Sequence, residues 1–373
     1  MINDFISQKT TDLYFVLLPR SYQSVGSVQQ KNPLNFDETV SFDSFVQGWE
    51  GNCGMIAAMA SLATNKQFYD EAVPEGQRYA RDRPAEFAFN LYKNGRRHLV
   101  KVDDKVNFYR PIFSKNMIKY ASSRNGSVVG PLLEKALVKL LFSGSYKSSA
   151  SVYPYTVLTS LSSNLCETFL DGSNVLEMSD VINHGVKTKS LMVVSFKNSS
   201  FRLGIQDRHS YTLVGSNEDS TRLYDPHGKV LEVPTSSFLK NLLMLDICYC
   251  DNSILGFPKT TAVEEIQEFW PALSRNHRVS FVEYDLLVQE DDTKILVNLV
   301  DSVFDGFCRH IFVLDSSKNK SIVNFSSPNV YRRLCSNSLR VNLNEGKYKI
   351  VLTISQQFNM LERLFISQKY FPR

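Results

Sequence analysis

The sequence predicts an α+β protein, in which a core with a helical lobe and a β lobe is followed by an antiparallel β-sandwich. Helical patterns mixed with short strand patterns extend to about residue 185. Strand patterns dominate from about residue 190, and beyond residue 276 they are the only regular patterns. The 373 residues are sufficient for two or three domains with buried cores.

These changes of pattern give the domain boundaries. Residues 1–30 hold one apolar stretch ended by Pro19 and then a Ser/Gln-rich segment, which is typical of an N-terminal extension. The predicted division is an extension at 1–30, a core at 31–255 with lobes at about 31–185 and 186–255, a linker at 256–275 and a β-sandwich domain at 276–373.

Composition excludes several classes of protein. The chain has 43% hydrophobic and 21% charged residues, as globular proteins do, and its net charge of +4 gives no reason to expect nucleic-acid binding. No run of eighteen apolar residues is present, so we expect no stable membrane insertion. The N-terminus has no signal-peptide pattern, and the six cysteines form no CxxC pair. We therefore expect a cytoplasmic protein with free thiols.

The first helix of the core is predicted directly after Asn52, which is a good N-cap residue. It begins with Cys53 and continues through Ala, Met and Leu residues that favour helix. A thiol at a helix N-terminus lies at the positive end of the helix dipole, which favours the thiolate. Gln47 lies six residues upstream of Cys53 and could offer its side-chain amide to an oxyanion. Cys53 is therefore a candidate nucleophile.

A second helix is predicted over residues 132–142, with Pro131 at its first position. Its apolar stripe indicates a core-facing helix and consists of Leu133, Ala136, Leu137, Leu140 and Leu141. The segment 180–185 has the pattern of a helix end, with His184 as a C-terminal helix residue.

The β lobe supplies the candidate base. Strands are predicted over 191–196, 210–215, 221–224 and 243–250. His209 lies just before the second of these, and Asp225 ends the third, ahead of a Pro-His-Gly turn. Neighbouring strands would place His209 and Asp225 side by side, so that Cys53, His209 and Asp225 are the nucleophile, the base and the group that orients the base.

Strands are also predicted in the C-terminal domain, over 278–288, 294–300, 309–314, 321–325, 339–343, 347–354 and 361–367. Residues 344–346, which read Asn-Glu-Gly, predict a hairpin between two of them, with Gly346 in a left-handed conformation.

In these motifs the sequence resembles the calpain family of papain-like cysteine proteases. The resemblance consists of blocks in the family's order: the nucleophile segment 47–62, the paired Asp103 and Asp104 after a strand, Leu132-Leu133-Glu134-Lys135 followed by Gly144-Ser145-Tyr146, His209-Ser210-Tyr211, Asp225-Pro226-His227-Gly228, and Leu245-Asp246-Ile247-Cys248. It implies a papain-like two-lobed cysteine protease core with Cys53, His209 and Asp225 as catalytic residues and Gln47 at the oxyanion. More weakly, the stretch 343–354 resembles the calpain β-sandwich domain.

The chain departs from the family at three positions of the site. Asp225 stands where the family has Asn, and an aspartate can both orient an imidazole and stabilise its charged form. His227 replaces the Trp that follows the family's Asn-Pro, and Gly54 replaces the Trp that usually follows the nucleophile.

No cofactor is predicted: the family resemblance raises calcium as a candidate, but the ligands expected for it are missing. Ser44 and about Ser127 stand where acidic ligands are expected, with Asp43 one residue away, and the short segment after Gly228 leaves no room for an acidic loop. We therefore expect a core that needs no calcium, and no metal ligand is assigned.

The preferred function is an intracellular cysteine endopeptidase that makes limited cuts in protein substrates, as the resemblance implies. Two alternatives remain open: a catalytically inactive calpain-like binding module, and an acyltransferase of the transglutaminase type, which also uses Cys, His and Asp in this order. The physiological substrate and any regulatory subunit are not indicated by the sequence.

Overall fold

The computed structural model of the protein describes residues 21–24, 40–48, 50–77, 86–93, 95–109, 117–118, 120–150, 152–170, 178–197, 204–206, 209–250, 254, 279–298, 308–316, 320–324 and 338–355. Within these ranges, the helices are α1 (Cys53–Ser61), α2 (Lys66–Ala72), α3 (Val129–Phe142), α4 (Pro154–Leu161), α5 (Met178–Thr188) and α6 (Thr235–Asn241). The strands of the core are β1 (Ser21–Ser24), β2 (Glu86–Lys93), β3 (Arg96–Asp103), β4 (Lys105–Tyr109), β5 (Met117–Ile118), β6 (Cys166–Leu170), β7 (Leu191–Phe196), β8 (Ser210–Ser216), β9 (Ser220–Asp225), β10 (Lys229–Pro234) and β11 (Leu242–Cys248). The C-terminal strands are β12 (Val279–Val288), β13 (Thr293–Asn298), β14 (Cys308–Asp315), β15 (Lys320–Asn324), β16 (Ser338–Leu343) and β17 (Gly346–Ser355). The chain is thus a mixed helix and sheet protein, as predicted.

Helix α1 is the centre of the first hydrophobic core. All of its residues after Cys53 are buried, because Ala, Met and Ile side chains occur on every face of the helix. It packs against α3, α4 and strands β7 and β8, so that it is enclosed on all sides.

Helix α3 begins at Val129, three residues before the predicted start. Pro131 is therefore the third residue of the helix, and its predicted place at the first position is wrong. The Ser127 hydroxyl accepts a hydrogen bond from the Val129 backbone N–H at 3.2 Å, which supports the earlier first turn. The predicted apolar stripe is buried in the first core, with Leu140 packed at its border.

The largest sheet in the described part of the chain has six antiparallel strands in the order β10-β9-β8-β7-β11-β6. Strands β7, β8, β9 and β11 coincide with the predicted strands to within two residues at each end. Strand β6 precedes the predicted lobe boundary near residue 185, yet it pairs with β11 at the sheet edge. Helix α5, which continues past the predicted helix end to Thr188, contributes Val181 and Ile182 to the second core under this sheet.

Two hydrogen bonds join α1 and the loop before it to this sheet. The Thr212 hydroxyl donates to the Ala57 carbonyl of α1 at 2.7 Å, and the Tyr224 hydroxyl donates to the Phe45 carbonyl at 2.9 Å. Thr212, Tyr224 and Phe45 are buried, so these bonds fix the helix against strands β8 and β9 in an environment without water.

A short strand lies within the predicted N-terminal extension. Strand β1 pairs with β4 in a three-stranded sheet of order β1-β4-β5, and β2 and β3 form a separate hairpin. Residues 21–24 are thereby attached to the core.

The C-terminal strands form two antiparallel sheets, β12-β17-β14-β15 and β13-β16. Buried side chains from both sheets, including Val313 and Val341, meet in one cluster. The predicted hairpin at 344–346 is wrong, because β16 pairs with β13 while β17 pairs with β12 and β14. The turn therefore carries the chain from one sheet to the other, and Gly346 does not have a positive φ.

Two predicted segments, the linker at 256–275 and the last strand at 361–367, lie outside the described residues. Among the helices that the structure does describe, none is long and apolar enough to cross a membrane.

Candidate active site

Cys53 is the first residue of α1 and is partly accessible to solvent. The glycine after it is required by packing, since a Cβ atom on Gly54 would lie 2.3 Å from the Val152 carbonyl oxygen and 3.2 Å from the Pro154 ring. The N-terminus of α1 therefore touches the start of α4 closely. This contact explains the absence of a bulky side chain after Cys53.

Cys53, at the start of α1, and His209, just before β8, form a polar pair. Burial alone would raise the pKa of the Cys53 thiol, but a hydrogen bond and the positive charge from His209 lower this pKa below its usual value of 9.0. Backbone N–H groups of Ser210 and Gly54 contribute to the lowering. Burial would lower the pKa of His209, but Asp225 and Cys53 raise it to about 9. The lowered pKa of Cys53 and the raised pKa of His209 both favour a thiolate beside an imidazolium.

Asp225 holds the other side of the His209 ring. Its Oδ1 lies 3.0 Å from His209 Nε2, and both side chains are buried. Burial would raise the pKa of Asp225, but hydrogen bonds from His209 and His227 hold it far below its usual range, so this group is a carboxylate. Because Nε2 faces Asp225, Nδ1 is the ring nitrogen that remains for Cys53.

His227 is a second imidazole on the same carboxylate oxygen. Its Nδ1 lies 3.0 Å from Asp225 Oδ1, and its backbone N–H donates to that oxygen at 2.8 Å. The rings of His209 and His227 stack with centroids 4.9 Å apart and an angle of 17° between their planes. The His227 side chain is 43% exposed, whereas those of His209 and Asp225 are each 7% exposed.

Tyr211 contacts the His209 imidazole, and Arg124 contacts the turn that carries His227. The buried Tyr211 ring packs edge-on against His209, with centroids 4.9 Å apart, and its hydroxyl accepts the Gln206 N–H. The exposed Arg124 guanidinium donates to the carbonyl oxygens of His227 and Gly228. The 225–228 turn is thereby clamped from outside the sheet.

Gln47 is attached to the same turn through its backbone N–H, which donates to the Pro226 carbonyl at 2.8 Å. Its side-chain Nε2 donates to the Glu50 carbonyl at 2.7 Å, and its buried Oε1 has no hydrogen-bond partner among the described residues. A primary amide carries two N–H groups, so one donor remains beyond the bond to Glu50.

Beneath the nucleophile loop lies a buried carboxyl group. Asn52 occupies the N-cap position of α1, but instead of capping the helix its Nδ2 donates to Glu134 Oε1 at 2.5 Å. Glu134 Oε2 accepts the Ala121 N–H at 2.8 Å, and burial raises the pKa of Glu134 to about 8. Asn52 Oδ1 is buried without a partner within the described residues.

Sequence reasoning did not assign roles to Arg124, Tyr211 or Glu134. Glu134 was detectable, since it lies one helical turn before Leu137 and Val138 on the buried face of α3. Arg124 had no such signal, because its contacts with 227–228 depend on the fold.

The positions expected to carry calcium ligands do not fit that ion. The Asn125 amide donates to the hydroxyls of Ser41 at 3.1 Å and Ser44 at 2.9 Å, and the Ser127 hydroxyl accepts from the α3 backbone. The hydroxyl oxygens of these three serines thus each accept a hydrogen bond, and no carboxylate side chain stands at 44 or 127. Calcium instead prefers several oxygen ligands, two or more of them carboxylates.

Known proteins that resemble this chain identify its family. The family profile described as "Calpain family cysteine protease" matches residues 23–231, which include Cys53, His209 and Asp225. The chain is 27% identical over 236 residues to calpain-12 of Mus musculus, covering 58% of this chain and 32% of that protein. It is 25% identical over 199 residues to calpain-9 of Homo sapiens, covering 52% of this chain and 28% of that protein.

A shorter match reaches a higher identity. The chain is 32% identical over 117 residues to the calpain-1 catalytic subunit of Macaca fascicularis, covering 31% of this chain and 16% of that protein. The matched segments thus span about a third or less of the relatives' own length. The family profile covers more than half of the 373 residues. The chain therefore belongs to the calpain family of cysteine proteases.

Proposed function

We propose that the chain is an active cysteine endopeptidase in which Cys53, His209 and Asp225 carry out the reaction. One observation carries the proposal: His209 Nε2 lies 3.0 Å from Asp225 Oδ1, and the same imidazole interacts with the Cys53 thiol and lowers its pKa. A nucleophile, a base and an orienting carboxylate in hydrogen-bond contact are the arrangement that acyl transfer requires.

The reaction begins when the Cys53 thiolate attacks the scissile carbonyl carbon. The carbonyl π electrons move to oxygen, and this oxyanion is stabilised by the Cys53 backbone N–H and the remaining Gln47 amide N–H. The His209 Nδ1–H then protonates the leaving amine as the C–N bond breaks, which gives a thioester and a neutral imidazole. That imidazole removes a proton from water, the hydroxide attacks the thioester, and cleavage releases the acid and restores the ion pair.

Asp225 acts through His209. Its carboxylate fixes the ring so that Nδ1 faces the thiol, and its charge favours the imidazolium that protonates the amine. Substitution of Asp for the family's Asn is compatible with this role, because both side chains offer an oxygen acceptor.

We also propose that the core works without calcium, on protein substrates, in a reducing compartment such as the cytoplasm. The first point is supported by the serine hydroxyls bonded to Asn125 at the expected ligand positions. The last is supported by free thiols at Cys53, Cys166, Cys248 and Cys250.

The test is labelling with an epoxide that alkylates active-site thiols, in wild-type protein and in Cys53→Ala, with calcium and with chelator. Labelling confined to Cys53, together with casein cleavage in chelator, would support all parts of the proposal except the compartment. Labelling that requires calcium would overturn calcium independence.

The inactive binding module is the second candidate, and the Gln47 side chain favours it in one respect, since its amide is engaged by Glu50. A folded wild-type protein that neither labels nor cleaves casein would establish this alternative. Incorporation of an amine into a glutamine substrate without peptide cleavage would instead point to the transglutaminase type of acyl transfer.

A further inference from the structure

We propose that His209, Asp225 and His227 form a binding site for one divalent transition-metal ion, probed with Zn²⁺, whose occupation reversibly stops the peptidase. The regulatory part rests on the proposed function, whereas metal binding itself is testable in an inactive variant. The sequence indicated no metal ligand because the three residues have no metal-binding motif and come together only in the fold.

The ligand atoms are already close together. His209 Nε2 and His227 Nδ1 each lie 3.0 Å from Asp225 Oδ1, and one ligand atom of each residue lies within 4.8 Å of the other two. Tetrahedral zinc with bonds of about 2.0 Å holds its ligand atoms about 3.3 Å apart. Two of the three separations are thus within about 0.3 Å of those in a zinc site.

Two imidazoles and a carboxylate are also the right chemistry. This donor set occurs in open zinc sites, where water takes the fourth position. The 43% exposure of His227 provides a solvent face for entry and for that water, while His209 and Asp225 are each 7% exposed and hold the ion from below. The His209 and His227 rings are stacked with 17° between their planes, so the half-exposed His227 ring must rotate about its side-chain bonds to aim its in-plane lone pair at the ion, but the backbone need not open.

The side chains of His209 and Asp225 and the backbone at His227 are held in place before any ion arrives. The second ring nitrogen of His209 is bonded to Cys53, and Asp225 accepts the His227 backbone N–H. Arg124 holds the His227 carbonyl at 2.7 Å. Such outer contacts fix the orientation of metal ligands and contribute to affinity.

Metal on His209 Nε2 would stop hydrolysis in a recognisable way. It would displace the Nε2 proton to solvent, take the place of the hydrogen bond to Asp225 and use the freed Nε2 lone pair, leaving the ring proton on Nδ1. Transfer of that proton to a leaving amine would create an imidazolate, which is unfavourable. The Cys53 thiolate would keep its N–H partner and stay open to alkylation. Zinc bound directly to the thiolate would instead protect it.

The binding test uses Cys53→Ala, which removes the thiol as a ligand, and titrates it with Zn²⁺ by calorimetry. We expect one zinc per chain, and adding His227→Phe should weaken the affinity at least about tenfold, since even outer-shell losses cost about 10- to 100-fold. His98→Gln, which changes an exposed histidine on β3, is the matched control and should leave affinity unchanged. No zinc binding to Cys53→Ala, or equal affinity in His227→Phe, would overturn the proposal.

The regulatory test uses wild-type protein. Zn²⁺ should stop casein cleavage, chelator should restore it, and the epoxide should still label Cys53 in the presence of Zn²⁺. Protection of Cys53 by Zn²⁺ that is equal in wild type and His227→Phe would place the metal on the thiolate and overturn the mechanism. Absence of cleavage in metal-free wild type would defeat the proposed function but leave the binding result intact.

Discussion

The thiol side and the imidazole side of the candidate active site are built in opposite ways. Cys53 begins a helix whose remaining residues are all buried and whose Gly54 touches the Val152 carbonyl. His209 and Asp225 are instead positioned by polar bonds that reach the half-exposed His227 and the exposed Arg124. We infer that changes around Cys53 act mainly through folding, and changes around His209 mainly through chemistry.

The largest expected effect is that of Gly54→Ala on the thiol side. Alanine normally favours a helix over glycine by about 1 kcal/mol, but here its Cβ would lie 2.3 Å from a carbonyl oxygen. Such overpacking costs about 3 kcal/mol or more, and urea unfolding measures it. Gly51→Ala is the matched control, since nothing lies within 4 Å of its Cβ. Equal stability of the two variants would contradict the close contact.

On the imidazole side, Asp225→Ala should lower kcat/KM about 100-fold, which equals about 2.7 kcal/mol. The loss follows because alanine releases the His209 ring. Asp225→Asn keeps an oxygen acceptor and should stay within about tenfold of wild type. Thermal unfolding should show both variants folded, with Asp225→Ala less stable than wild type because the lowered pKa of Asp225 reports hydrogen bonds that stabilise the folded state. Equal, small effects of both changes would mean that another residue, with His227 the first to examine, orients the ring.

Glu134 on the thiol side predicts a dependence of stability on pH. Its pKa is raised to about 8 from 4.5, so the unfolded chain loses this proton at lower pH than the folded protein does. The contribution of Glu134 to the free energy of unfolding is therefore greatest below about pH 4.5 and declines as pH rises to about 8. The slope for one proton is at most about 1.4 kcal/mol per pH unit.

Glu134→Gln imitates the neutral acid and should remove this slope. Urea unfolding at several pH values should show the variant gaining stability relative to wild type between about pH 4.5 and about 8. Glu75→Gln, which changes an exposed residue, controls for the loss of one charge. A stability difference that is constant with pH would show that Glu134 does not retain its proton on folding.

The smallest expected effect is that of Arg124→Ala, which removes two hydrogen bonds to the 225–228 turn. Because Arg124 is exposed, we expect a loss of about 1 kcal/mol or less in transition-state stabilisation, seen as a decrease in kcat/KM of up to about fivefold. Arg124→Lys should not restore activity, since one ammonium lacks the fork that reaches both carbonyls. Arg222→Ala, at another exposed arginine on β9, should leave kcat/KM unchanged.

Features that depend on local sequence patterns were predicted, whereas features that depend on polar contacts across the fold were not. The helix at Cys53, strands β7 to β9 and the family were predicted because each depends on local patterns or on motif order. The structure brings the three predicted catalytic residues together through strand pairing between β8 and β9 and the packing of α1 on β8.

The features that the sequence did not predict depend on contacts between residues far apart in the chain, or on polar side chains that the hydrophobic pattern does not show. Asn52 favours an N-cap locally, but the buried Glu134, 82 residues away, takes its side chain. Residues 344–346 have the local pattern of a hairpin, but β17 has β12 and β14 on its two edges and so does not pair with β16. The first turn of α3 depends on the hydroxyl of Ser127, which a hydrophobic pattern does not register.

The position of β11 between β7 and β6 has a consequence for dissecting the protein. The family match ends at residue 231, before β11 begins at Leu242. A fragment cut at that point would lack the strand that joins β6 to the rest of the sheet, and would uncover the apolar residues that β11 contacts. The smallest fragment able to hold Cys53 opposite His209 therefore extends through Cys248, beyond the limit that the family match would suggest.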